Sequence, residues 1–396
     1  MPRGHRVRTT VTILAMRDGN ARARFAVNVL FFVNGALIAN VFPRLPAIKA
    51  QLDLSNGQLG AAVGAASFGA LLAGPLAGAA SARFGSGRLA VATGVVYGLG
   101  LPLLGVAGGW PALAAAFVLL GVLDVLMDVA MNAHGLRVQE RYQRSIFNAF
   151  HAWWSIGATA GGLVGAGAAA LGVPIPVHLL VVGVLLAAAV ALSGRWLLPE
   201  PQPVPSPQQG DAARPLGRIG LLGALAPLAA LSVAAAFVED VPGSFGGVYL
   251  RDWLGTSAGV AGLAWVGFVG GMTAGRLLAD RVVDTYGAKP VVRAGNAFAA
   301  VGLGVALLLD QPAAAIVGFT AVGIGASATI PSLFVLAGRR TERPADGIAL
   351  VSWATRVGFL ASPVVVGLLA DAVGLPYGVA LCAVAAAVIA LAVPRR

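Results

Sequence analysis

Apolar runs of about 20 residues follow one another along this chain, separated by short polar breaks. Coiled as an α-helix, such a run crosses the roughly 30 Å of hydrocarbon in a bilayer. The pattern predicts twelve spans, near 25–43, 57–80, 89–108, 111–136, 145–171, 175–198, 219–245, 257–279, 288–309, 312–337, 346–371 and 375–394. After the sixth comes PEPQPVPSPQQGDAARPLGR (199–218), whose alternating prolines cannot continue a helix and favour an extended linker. The expected organisation is a basic tail (1–24), a six-helix bundle (25–198), a proline-rich linker (199–218) and a second six-helix bundle (219–396).

The two bundles repeat. A shift of 202 residues pairs Ser55 with Ser257, Gly60 with Gly262, Gly69 with Gly271, Gly85 with Gly287, Gly121 with Gly323, Arg137 with Arg339, Arg141 with Arg343, Gly165 with Gly367, Gly172 with Gly374 and Pro174 with Pro376. Six spans per half return the chain to the same side, so the repeat is parallel, about an axis along the membrane normal.

Composition strengthens this reading. Of 396 residues 58% are hydrophobic and 11% charged, against about 25% charged in an ordinary soluble domain. The mean hydropathy of +0.84 excludes a water-soluble core and makes the expected fold class an all-α membrane protein. In such helices many of the 54 glycines read as packing faces. The net charge of +11 does not point to nucleic acid, because the arginines lie between apolar runs rather than on one basic face. They report topology instead. With the N-terminus inside, cytoplasmic segments hold 23 of the 27 Lys and Arg residues. Arg44, Lys49 and Arg251 fall outside, and Arg356 lies within a span. The expectation is a multi-pass protein of the cell membrane with both termini cytoplasmic. The basic N-terminus lacks the features of a signal peptide, and either Met1 or Met16 can be the start. Cys382 offers no internal disulfide and no metal-ligand spacing, so it reads as packing.

GAASARFGSGR (78–88) and GRLLADRVVDTYGAK (275–289), the loops after spans two and eight, resemble the G-x-x-x-D-R-x-G-R-R/K motif of the major facilitator superfamily. The chain resembles that family over essentially its whole length. DVAMNAHGLRVQE, FNAFHAWWSIG and ATIPSLFVLAGRR resemble its fucose-permease-like branch of uncharacterised permeases. The resemblance implies twelve helices in two pseudo-symmetric bundles that move a solute by alternating access. It also implies a gating role for Arg83, Gly85, Arg88, Arg276, Asp280, Arg281 and Asp284. Arg276, Asp280, Arg281 and Asp284 are spaced to form a charge cluster at the inner end of span eight. In the first copy Ala82 stands where the motif has an acid, so Arg83 and Arg88 fit a merely topological basic loop better. Ser244 and Phe245 stand where that branch has an Asp-Trp pair, and Arg356 where it has a tyrosine, which weakens any transfer of sugar uptake.

Ionisable side chains inside spans cost about 2.5–3.5 kcal/mol each on insertion scales and usually face a cavity. Those here do not recur at the 202 shift. Asp124 maps to Ala326, Asp128 to Ile330, Asn132 to Phe334, His151 to Trp353, Glu239 to Leu37 and Arg356 to Trp154. They are therefore additions to one half rather than scaffold. Asp124, Asp128 and Asn132 are spaced i, i+4, i+8 along one face of span four. At 1.5 Å per residue Asp128 lies about 13 Å and Asp124 about 20 Å from the end near Arg137, close to the midplane. Both are candidates to carry a proton or touch solute, with Asp128 favoured. Asn148, His151 and Ser155 share a face of span five beside Trp154. His151 can share a proton with Asp128 or serve structure, Trp154 can stack on a ring, and His134 reads as structural. Arg356 is expected to pair with Glu239, Asp240 or an anionic group of the solute.

The expected function is secondary active transport of a small polar or amphipathic solute, with proton coupling expected from the carboxylates at mid-depth. Sugar-like molecules, acidic metabolites and drugs stay open, as does import against export. A non-transporting sensor or scaffold on the same fold is the alternative. No nucleotide-binding motif, nucleophile elbow or metal-ligand cluster argues for an enzyme. The expected partners are the solute, protons and the lipid bilayer, with no nucleic acid, cofactor or metal, and the chain is expected to be a monomer.

Overall fold

In the computed structural model, residues 4–142, 146–199, 218–341 and 344–393 are described; at 4–18, 148, 218–224, 280, 344 and 345 this extends to the backbone alone. Met1, positions 200–217 of the proline-rich linker, and arginines 144, 343, 395 and 396 lie outside the described residues, as do the side chains of Asn148 and Asp280.

Twelve long helices, one of them in two pieces, make up most of the described fold; short helical turns such as Leu45–Gln51 and Pro102–Gly105 connect them. The first half holds α1 (Gly4–Ala39), α2 (Asn56–Phe84), α3 (Ser86–Gly100), α4 (Trp110–Tyr142), α5 (Phe147–Ala170) and α6 (Ile175–Gly194). The second holds α7 (Arg218–Ser244), α8 (Ala258–Tyr286), α9 (Ala288–Leu309), α10, α11 (Pro344–Val373) and α12 (Leu375–Ala392). α10 comes in two pieces, Pro312–Ala326 and Thr329–Gly338, rather than the unbroken run expected. Pro331 has no N–H to offer the carbonyl of Ser327, which is where the ladder opens. α1 also begins well before residue 25. Hydropathy marks where a helix enters lipid, whereas the helix itself continues until a breaker, and no proline follows Pro2 before Pro43.

The internal repeat is visible in the backbone. Left-handed residues occur at Asp53 and Gly255, at Gly85 and Gly287, and at Gly172 and Gly374, each pair 202 apart. Helix starts correspond too, since Ser55 Oγ accepts from Gln58 N–H at the head of α2 and Ser257 Oγ from Val260 N–H at the head of α8. Packing follows the same register. A β-carbon on Gly121 would run into the carbonyl of Ala66, and one on Gly323 into that of Phe268, so α4 crosses α2 as α10 crosses α8.

The halves meet along two seams, α2 against α11 and α5 against α8. Gly57, Gly60 and Gly64 press onto Leu368, Pro363 and Leu360, while Gly259 and Gly262 press onto Ala170 and Ala166. From Gly57 to Gly64 is about two turns of helix, so the tight part of that seam is about 11 Å long. It lies at the end away from the termini. Toward the terminal end Gly74 and Gly78 of α2 have nothing within 4 Å of where a β-carbon would sit. Additional links tie the halves at the far end. Lys49 pairs with Asp252 at 2.7 Å. Asp371 of α11 accepts from Ser55 Oγ at 2.8 Å and from the N–H groups of Asn56 and Gly57 at 2.9 and 2.8 Å, capping α2 across the seam. Trp265 fills the space between them, 4.3 Å from the ring of Phe42 and against Gly162 and Gly243. In this state the halves are shut at the far end.

Candidate functional site

Within the first half, three helices converge on one amide. Asn34 of α1 is buried and bridges two neighbours: its Nδ2 donates to Asp124 Oδ1 of α4 at 3.0 Å, and its Oδ1 accepts from Trp154 Nε1 of α5 at 2.9 Å. One turn along α4, Asp128 Oδ1 accepts from Asn132 Nδ2 at 2.9 Å, and the same amide donates to the Asp128 carbonyl at 2.8 Å. The i, i+4 spacing thus brings Asp128 and Asn132 together, while Asp124 is held by a residue absent from the sequence reading. Asn34 passes the test that singled out the aspartates, since its counterpart at the 202 shift is Ala236.

Asp124 lines a cavity of about 220 Å³ together with Ser67, Tyr97, Ile38, Phe359 and Arg356. Arg356 comes from α11, so the two halves put opposite charges on facing walls. Its charge acts on both Asp124 and Asp128, yet Arg356 forms no hydrogen bond or ion pair with a described residue. The repeat explains why. Arg356 occupies the position of Trp154, but where the first half has Asn34 and Asp124 the second has Ala236 and Ala326. Among the described residues the guanidinium has no partner within its own half. The expected pairing with Glu239 or Asp240 is therefore absent in this state.

Those acids occupy the far part of α7. Asp240 Oδ2 accepts from Ser244 Oγ at 2.9 Å, and the charge of Arg276 of α8 acts on Glu239. Just beyond, Pro242 deprives the Val238 carbonyl of its helical donor, and the thiol of Cys382 approaches that oxygen at 3.6 Å. Cys382 thus does more than pack: it answers a polar group that a proline leaves open.

Other expected associations do not form. His151 makes no hydrogen bond to Asp128; its ring sits edge-on to Phe31 and Phe147 at 5.1 and 5.2 Å. The face of α5 that reaches the amide network is that of Trp154, three residues on. Arg276 stands deeper than a loop residue, near enough for its charge to act on His151 as well as Glu239. Arg281 and Asp284 make no ion pair with a described residue, and neither do Arg83 and Arg88. Gly85, expected in the gating motif, makes the turn between α2 and α3 with φ of 89°. His134 is structural: it is fully buried, its Nδ1 meets Ser86 Oγ at 3.0 Å, and its Nε2 accepts from Leu198 N–H at 3.1 Å. Trp265 belongs to the far-end closure, and Trp153 and Trp353 are exposed. Among the described residues no group of His, Cys, Asp and Glu is arranged to hold a metal ion.

Comparisons with known proteins agree with this architecture. The sequence profile described as "Major Facilitator Superfamily" matches residues 27–239 and 221–395. An uncharacterised MFS-type transporter of Yersinia pestis is 30% identical over 352 residues, covering 87% of this chain and 88% of the relative. An uncharacterised transporter of Sinorhizobium fredii is 30% identical over 344 residues, covering 86% and 89%. Among solved structures, the nucleoside transporter NupG superposes with a TM-score of 0.75, covering 93% of this chain and 98% of that one. At 14% identity that likeness speaks for the fold alone.

Proposed function

The chain belongs to the major facilitator superfamily of transporters, and from that premise we propose that it is a proton-coupled secondary transporter of a small polar or amphipathic solute. The observation that carries the reading is Arg356, without a hydrogen-bond or ion-pair partner among the described residues, facing Asp124 across a cavity formed between the two halves. An arginine fork suits carboxylate, phosphate or hydroxyl acceptors on a solute. By helix rise Asp124 and Asp128 fall near the expected midplane, where transporter sites lie, and on this reading they take up and release a proton as the cavity changes sides. Neutralising a carboxylate opposite Arg356 leaves the cation free for the solute, which links proton and solute occupancy. Sugar-like molecules, acidic metabolites and drugs all fit this chemistry.

In this reading the protein sits in the cell membrane with both termini cytoplasmic and works as a monomer. With that orientation, a state shut at the far end is the cytoplasm-open one. Closing the terminal end requires Arg276, Asp280, Arg281 and Asp284 to find partners across the halves, while Lys49–Asp252 and the Asp371 cap come apart. Counterflow in proteoliposomes tests the proposal, with sugars, organic acids and antibiotics each assayed with and without a pH gradient. Gradient-driven accumulation of one class that Asp128→Asn abolishes supports it. Exchange of no solute in the panel turns the reading toward a non-transporting sensor or scaffold.

A further inference from the structure

A tryptophan Nε1–H is a donor and nothing else. The Asn34 atom that meets Trp154 at 2.9 Å must therefore be the amide oxygen, which fixes the NH2 group toward Asp124. An amide free to turn over could offer Asp124 either a donor or an acceptor. This one cannot turn without losing the indole bond and setting two oxygens against each other.

The consequence is a distinction between the two oxygens of Asp124. Oδ1 faces an N–H, so a proton placed between them would confront another hydrogen. Oδ2 has no hydrogen bond to a described residue and is not among the buried polar atoms left without a partner, so it is open to the cavity. We infer that Asn34, pinned by Trp154, is a positioning residue that keeps Asp124 Oδ1 as a permanent acceptor and leaves Oδ2 as the atom that exchanges a proton with the cavity or receives a donor group of the solute. The proton arrives from cavity water on Oδ2 and leaves by the same route, and Oδ1 keeps its amide partner in both forms. The charged and titratable groups facing Asp124 are Asp128 on its own helix, Tyr97 of α3 and Arg356 of α11. Trp154, although it touches no carboxylate, is thereby a reporter of Asp124 through the bridging amide.

This rests on the transport reading for its meaning, but its test does not need a solute. In 15N-labelled protein the indole resonance of Trp154, one of seven, is identified by its absence in Trp154→Phe. Followed against pH, it should titrate in the wild type and cease to titrate in both Asp124→Asn and Asn34→Leu. Should Asn34→Leu fail to fold, Asn34→Ser, too short to bridge, replaces it. In vesicles Asn34→Leu should reduce gradient-driven uptake roughly tenfold, and adding it to Asp124→Asn should cost nothing further. An indole titration that survives in Asn34→Leu, or losses that multiply in the double variant, overturns the inference. Absence of proton-driven uptake alongside an Asn34-dependent titration would instead defeat the transport reading and leave the positioning role standing.

Discussion

Replacing Asp371 with alanine should loosen the far-end closure. The carboxylate accepts three hydrogen bonds from the first turn of α2, one from a hydroxyl and two from backbone N–H groups that no helical carbonyl can serve. Hydrogen bonds to a charged group contribute about 1.5–3 kcal/mol each, but this one is partly exposed and screened by water. Taking about 0.5 kcal/mol per bond, at the low end for any protein hydrogen bond, the cap favours the closed far end by about 1.5 kcal/mol, or roughly tenfold in the closed-to-open ratio. The other seam offers no substitute, because the repeat counterpart of Asp371 is Ala169. Spin labels at Leu171 and Leu309, both exposed and one in each half, would read the change by double electron–electron resonance in a Cys382→Ser background. Asp371→Ala should add a longer-distance population about tenfold larger than in the parent. A distance distribution altered by less than twofold would refute the reasoning, since the cap would then be an ornament of the closed state and not a determinant of it.

Four further outcomes follow from the same geometry. Gly121→Val and Gly323→Val should each lower thermal stability by about 1–3 kcal/mol in a fluorescence-monitored melt, whereas Gly167→Ala, with nothing within 4 Å, should stay within about 0.5 kcal/mol. Arg356→Lys should weaken solute affinity at least severalfold in counterflow if the fork is used bidentately; full transport in Arg356→Lys alongside loss in Glu239→Gln would make anion recognition by Arg356 unnecessary. Lys49→Ala should shift the far-end distance distribution less than Asp371→Ala does, because an exposed ion pair contributes about 0.2–1 kcal/mol, and its effect should vanish at high salt. Cys382→Ser should melt close to the parent, as a hydroxyl can still donate toward the Val238 carbonyl, and Cys382→Val should melt lower by about 1 kcal/mol.

Periodicity and charge alone determined much about this protein. Twelve apolar runs must become helices because lipid offers backbone groups no hydrogen-bond partners. The 202-residue register predicted which glycines would be equivalent, and the left-handed turns at Gly85 and Gly287 and the crossings at Gly121 and Gly323 obey it. Asp124, which lines the cavity, was legible as a candidate because a charge in a span that its repeat lacks has no scaffold role to play; Asp128 stood out by the same criterion but is held by Asn132 and is not among the cavity's lining residues. Asn34 was legible by that same criterion but carries no charge, so it did not stand out among apolar neighbours.

Which of these groups touch was decided only by the tertiary structure. A helix face is known from spacing to within some tens of degrees, and α5 is turned so that Trp154 meets Asn34 while His151 lies against Phe31 and Phe147. That Arg356 faces Asp124 rather than Glu239 depends on how two six-helix units rest against each other, which no local pattern encodes. The conformational state is of the same kind: Lys49, Asp252, Ser55 and Asp371 are hundreds of residues apart in pairs, and only the meeting of the two halves makes them partners.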